Sequence, residues 1–171
     1  MQIEAERCDT EWCRFEWDSV DADEVGRRII EAVESLSAGL RTAGDRAGLR
    51  SKDGWWSPLE YASHVRDVLL LLRDRLVVAL NEDTPLCKGM FGGSRVDLGL
   101  YEGDSAAVVA DELVLAASLF VRFWERIPHP LRSRRMVYGY PTVAERDLRW
   151  VAAQALHEVE HHAVDVRSLL A

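Results

Sequence analysis

The chain has 171 residues, 48% of them hydrophobic and 29% charged, and carries a formal net charge of −8. That length suits a single domain whose core stands without cross-links, and the acidic balance excludes phosphate-backbone binding as a default function. Cys8, Cys13 and Cys87 are the only cysteines, too sparse and odd in number for a secreted disulfide framework. The opening Met1-Gln2-Ile3-Glu4-Ala5-Glu6 is acidic, and the longest apolar run, Val68 to Leu72, is too short to span a bilayer. The expectation is a cytoplasmic protein that engages neither nucleic acid nor membrane.

Residues 1–21 read as an N-terminal arm ahead of a helical body at 22–171. In the arm, Cys13, Phe15 and Trp17 alternate with Arg14, Glu16 and Asp18, the pattern of a short edge strand or of an extended segment laid over the body. A first helix is expected from about Asp23 to Thr42, because Val25, Ile29, Val33, Leu36 and Leu40 recur on one face. Ser57-Pro58-Leu59-Glu60 is a capping box with proline at the first helical position. The second helix it opens runs to about Leu80, with Val65, Val68, Leu72 and Leu76 inward.

A third helix is expected from about Ser105 to the Pro128-His129-Pro130 breaker, with Val109, Leu113, Ala116, Phe120 and Phe123 as its stripe. Thr142-Val143-Ala144-Glu145 reads as another capping box, opening a fourth helix that reaches almost to Ala171. The long glycine-bearing connection at 81–104 is of a length usually functional or mobile. Residues 128–141 carry Arg132, Arg134 and Arg135 near Tyr138 and Tyr140. Four amphipathic helices with little strand signal make an all-α, four-helix bundle with long loops.

The C-terminal run Leu156-His157-Glu158-Val159-Glu160-His161-His162 carries the chemistry. His157 and His161 are four apart, so on a helix both rings can face one point, a common way to present two imidazoles to a transition metal. His64 lies four residues before Val68 on the inward stripe of the second helix and is the expected third ligand. A set of His64, His157 and His161 would leave a coordination position open, which suits catalysis. Taken singly, His64 reads as a hydrogen-bonded core residue and the C-terminal pair as a solvated face.

Asp165, one turn beyond His161, is placed to orient its imidazole. His162 is turned about 100° away from His161 and reads as a supporting, surface or interfacial residue. His157-Glu158-Val159-Glu160-His161 also matches H-E-x-x-H of zinc proteases, with Glu158 as base. No further arm for a third protease ligand follows, and Glu158 projects about 100° from His157, so that reading is the weaker.

Two blocks of the chain resemble the DinB/YfiT-like superfamily of metalloenzymes. Trp56-Ser57-Pro58-Leu59-Glu60-Tyr61-Ala62-Ser63-His64-Val65-Arg66-Asp67 is similar to its tryptophan-led helix start and metal histidine. Leu156 to Asp165 is similar to its closing histidine pair. The likeness covers about residues 22 to 171 in organisation, with specific identities confined to those blocks. It implies an up-down-down-up bundle, His64, His157 and His161 as ligands, and zinc or nickel as the ion. Members related to mycothiol-dependent maleylpyruvate isomerase and to bacillithiol transferases use a low-molecular-weight thiol. The resemblance therefore implies S-transfer or isomerisation of a small-molecule electrophile. Cys8-Asp9-Thr10-Glu11-Trp12-Cys13-Arg14-Phe15 is similar to a Cys-x-x-Cys-Gly-Phe segment preceding some such bundles, but with wider spacing, so ordinary thiols are expected there.

In the thiol reading, Arg132, Arg134 and Arg135 hold carboxylates of the thiol or substrate, although singly each is a solvated loop cation. Tyr101 and Tyr138 are candidate proton donors. A metal-dependent hydrolase using activated water and a non-catalytic metal-binding or interaction bundle are the competing functions. The six tryptophans offer surface anchors for a homodimer where they are exposed.

Overall fold

The computed structural model describes residues 7–139 and 143–171. Four long helices carry it: α1 (Val25–Ala43), α2 (Pro58–Asn81), α4 (Ala106–Arg126) and α5 (Leu148–Leu170), with a short α3 (Gly92–Asp97) between α2 and α4. An antiparallel ribbon of β1 (Arg135–Tyr138) and β2 (Ala144–Asp147) leads into α5.

The apolar stripes of α1 and α2 are buried as their periodicity requires: Val25, Ile29, Val33, Leu36 and Leu40 on one, Val65, Val68, Leu72 and Leu76 on the other. The expected capping box opens α2. Glu60 N donates to Ser57 Oγ at 3.2 Å, and Ser57 N donates to the Glu60 carboxylate at 2.7 Å. On α4 the stripe turns slightly from the expected one. After Phe120 the inward place goes to Trp124, 1% exposed, whose indole donates to Ala22 O at 3.0 Å, while Phe123 is only partly buried.

Pairings along the helices give their directions. Ser37 donates to Ala110 O, and Val121 and Glu125 crowd Gly26, so α1 and α4 are antiparallel. Arg28 pairs with Glu160, while Leu170 lies beside Gly39, so α1 and α5 are parallel. Arg66 reaches Glu112, both early in their helices, so α2 and α4 are parallel; His64 meets Glu158 while Arg134, just before α5, reaches Ala79 O, so α2 and α5 are antiparallel. The order is up-down-down-up, with α1 and α2 at opposite corners.

Two parallel neighbours cannot be joined by a tight turn. The chain must return along α2, about 36 Å for its 24 residues at 1.5 Å each. Residues 82–105 make that return and hold α3. The segment is tied to β1 by Cys87 N to Val137 O and Val137 N to Pro85 O, each 2.9 Å.

The start of α5 differs from the expected one. Thr142 lies outside the described residues, and Glu145 pairs with Val137 in the ribbon. The helix begins at Leu148, where the Asp147 carboxylate accepts from Trp150 N at 2.9 Å and caps it. Strands of four residues are too short to show a period against flanking helices. In the arm, Arg7 and Glu16 form an isolated bridge, and Trp17 is buried against Trp150 with ring centroids 5.8 Å apart. Trp17, Trp124 and Trp150 are thus core residues rather than surface anchors. No helix among the described residues is long and apolar enough to cross a membrane.

Candidate metal centre

Each residue of a helix turns about 100°, so residues four apart are offset by only about 40°. His157-Glu158-Val159-Glu160-His161-His162 therefore contains two interleaved pairs, 157 with 161 and 158 with 162, on adjoining strips of α5. The strips face different neighbours: the first meets the arm and the second meets α2.

On the second strip, Glu158 and His162 converge with His64, and their donor atoms lie within 4.8 Å of one another. His64 Nε2 is 3.2 Å from Glu158 Oε2, and His162 Nε2 is 3.5 Å from the same oxygen. His162 Nδ1 bonds the Asp165 carboxylate at 2.8 Å. That bond fixes the ring so that Nε2 points at Glu158 and His64, the usual carboxylate–histidine support of a metal ligand. The other Glu158 oxygen accepts from Gln154 Nε2 at 2.7 Å, and Gln154 Oε1 accepts from Trp17 Nε1 at 2.7 Å.

The electrostatics suit a cation. Burial acts to raise Glu158, yet hydrogen bonds with His162 and His64 hold its carboxyl well below the ordinary range. Burial likewise opposes charge on His162, but its bonds to Asp165 and Glu158 push it up to about 9. Two carboxylates thus set a negative field around the imidazoles, in which a divalent cation can replace a proton. Two imidazoles and one carboxylate are a known catalytic zinc set with an open position. The surroundings are tight: Trp56 meets the His64 ring edge-on at 5.4 Å, and a Cβ on Gly92 would lie 2.8 Å from that ring.

The expected set of His64, His157 and His161 is not brought together. Among the described residues, no donor group within 4.8 Å joins His64 to that pair. His157 and His161 instead group with Cys8 and Cys13 of the arm. Burial pushes His157 down to about 4 and lowers His161 as well. The physical reason is rotation: α2 lies against the strip one residue on. Spacing gave 158/162 the same standing as 157/161, and Asp165, three beyond His162 and four beyond His161, did not separate them. Asp165 is also 3.7 Å from His161 Nε2, the neighbour expected for it, but its short bond goes to His162.

A cavity of about 490 Å³ opens over Glu158 and His162, with His157 and His161 also in its lining and Val68, Leu72, Met90 and Phe91 among its apolar walls. The arginines expected to serve it are engaged elsewhere. Arg132 is buried, pairs with Asp23 at 2.8 Å and lies over Trp124. Arg134 donates to Ala79 O and Glu82 O at the end of α2, and Arg135 pairs across the ribbon with Glu145. The cations that do line the cavity are Arg75, which donates to Lys88 O and lies over the Tyr138 ring, and Lys88 itself. Tyr138 also lines it, and burial pushes its phenol up to about 12. Tyr101 instead donates to Asp67 at 2.9 Å, outside the cavity lining.

No family model matches the chain, nor does any curated protein. Among solved structures a match is found. The fold is similar to that of YfiT from Bacillus subtilis. The TM-score is 0.79 over 89% of each chain, at 15% sequence identity, and YfiT is described as "a probable metal-dependent hydrolase with an unusual four-helix bundle topology". The shared feature is the bundle; the ligand set of this chain rests on its own residues. The support that Asp165 gives His162 is testable there. Asp165→Asn, which keeps the shape, is expected to weaken metal binding at His64, Glu158 and His162 about 10- to 100-fold. Competition against a chelator, with circular dichroism unchanged, checks it.

Proposed function

We propose that the chain is a metal-dependent hydrolase of small molecules, with His64, Glu158 and His162 as ligands of one divalent transition metal. The observation that carries this reading is the convergence of His64 Nε2, Glu158 and His162 Nε2 beside a 490 Å³ cavity, with Asp165 behind His162. Such a volume is within the range of small-molecule sites. The likeness of the bundle to YfiT supports the same class of chemistry. A bound divalent cation supplies Lewis acidity, polarising a substrate oxygen and lowering the pKa of water.

The protein's own residues then divide the remaining work. Apolar walls from α2 and residues 89–93 bury the hydrocarbon part of a substrate and exclude water. Arg75, anchored on Lys88 O, presents its remaining N–H groups to an anionic end, with Lys88 beside it. Tyr138 stays protonated near neutrality and can donate a hydrogen bond to a substrate oxygen. The substrate class this favours is a small ester or amide bearing a carboxylate.

The thiol-dependent transferase or isomerase rests on the resemblance of the Trp56–Asp67 and Leu156–Asp165 blocks and asks for the same cavity. Assays of metal-loaded protein on carboxylate-bearing esters and amides, with and without a low-molecular-weight thiol, separate the two. Hydrolysis without thiol is the expected result. Turnover of electrophiles only when thiol is present would replace the hydrolase reading with the transferase one.

A further inference from the structure

We propose that Cys8, Cys13, His157 and His161 form a second metal site, a closed Cys2His2 centre for zinc that fastens the N-terminal arm to α5. It does not depend on the function proposed for the His64 site. The first support is the donor set. Two thiols and two imidazole nitrogens lie within 4.8 Å of one another, which is four ligands of the types that make structural zinc sites and no open position. With Zn–S about 2.3 Å and Zn–N about 2.0–2.1 Å, a tetrahedral centre has sulfur–nitrogen edges of about 3.6 Å. Cys8 Sγ lies 3.7 Å from His161 Nδ1.

The second support is an imidazole without a partner. His157 is 5% exposed, and both of its ring nitrogens are buried with no hydrogen-bond partner. A buried polar group left unmatched bears its full desolvation penalty. Ligation gives one of the two nitrogens a partner, which nothing else among the described residues supplies.

The arm is folded to serve this centre. Cys8 N donates to Phe15 O at 3.0 Å and Cys13 N to Thr10 O at 2.9 Å, a turn that brings the two sulfurs to the same side. Both thiols are free. Aromatic rings close the surroundings: Trp12 covers His161 at 4.4 Å, and Phe15 and Trp17 lie 5.0 and 4.8 Å from His157. Cys8 and Thr10 also line the cavity at the His64 site, so a fastened arm completes one of its walls. The neighbouring strips of α5 thus carry a closed centre and an open one.

The full-length, untagged chain purified without chelator tests this. Elemental analysis is expected to find two zinc per chain, falling to one in Cys13→Ser and to one in His64→Ala, with the remaining metal held by the other set. Cobalt, added as a probe, is expected to give a thiolate-to-cobalt charge-transfer band that survives His64→Ala and is lost in Cys13→Ser. The open site's ligands, His64, Glu158 and His162, include no sulfur and do not produce that band, so failure of one site is distinguishable from failure of the other. Because a cysteine variant can misfold, wild-type protein is also alkylated. Cys8 and Cys13 are expected to be protected until a strong chelator is added. Equal alkylation with and without metal, absence of the band, or a Cys8–Cys13 disulfide seen as the loss of two hydrogens in mass would each overturn the proposal.

Discussion

Removing any one of His64, Glu158 or His162 is expected to lower metal affinity at the cavity by more than 100-fold and to abolish metal-dependent turnover at ordinary metal concentrations. A residue that only supports a ligand changes affinity about 10- to 100-fold, so loss of a ligand must exceed that. The contrast that decides the assignment lies on α5 itself. Glu158→Ala and His162→Ala are expected to behave like His64→Ala, whereas His157→Ala and His161→Ala leave affinity at the cavity within about tenfold. The two classes of variant differ by one step of about 100° around the same helix. Isothermal titration with zinc, run beside turnover measurements, reads both. If His157→Ala and His161→Ala lose cavity metal while His162→Ala keeps it, the ligands are those of the first strip, and α5 does not turn Glu158 and His162 toward α2.

Much of this architecture was legible in the sequence because it follows from local rules. The Ser57 box, the stripe of α1 and the inward place of His64 each need only a few neighbouring residues to be read. The helical bundle follows from those stripes together. What was not legible depends on rotation and on distant partners. Spacing says that residues four apart share a face, but not which of two interleaved pairs faces α2. That choice is set by how α5 packs between α1 and α2, a property of the whole bundle. The same holds for Cys8 and Cys13, whose partners lie about 150 residues away and whose role no local spacing reveals. The arginines of residues 132–135 failed as site residues for a related reason. Their charge suggested a substrate anion, but Asp23, the end of α2 and Glu145 already occupy them.

Gln154→Leu is expected to weaken both the fold and the open metal site, because this one amide joins the arm to the carboxylate ligand. The side chain is fully buried, accepts from Trp17 Nε1 and donates to Glu158 Oε1, both at 2.7 Å. Leucine fills a similar volume but meets neither group. An indole N–H and a carboxylate oxygen then lose their partners in a buried setting, at a combined cost of about 2–5 kcal/mol. Glu158 also loses the bond that turns its other oxygen toward His64 and His162. Metal affinity at the cavity is therefore expected to fall about 10- to 100-fold as well. Trp17→Phe separates the two consequences. It removes the indole donor but keeps the bond between Gln154 and Glu158, so stability should fall by about 1–3 kcal/mol while metal affinity stays within a few-fold. Urea denaturation of the metal-free variants and zinc titration of the folded ones measure the two effects independently. Wild-type zinc affinity in Gln154→Leu would show that packing alone aims Glu158, and the amide would then be a link of the fold without a part in the site.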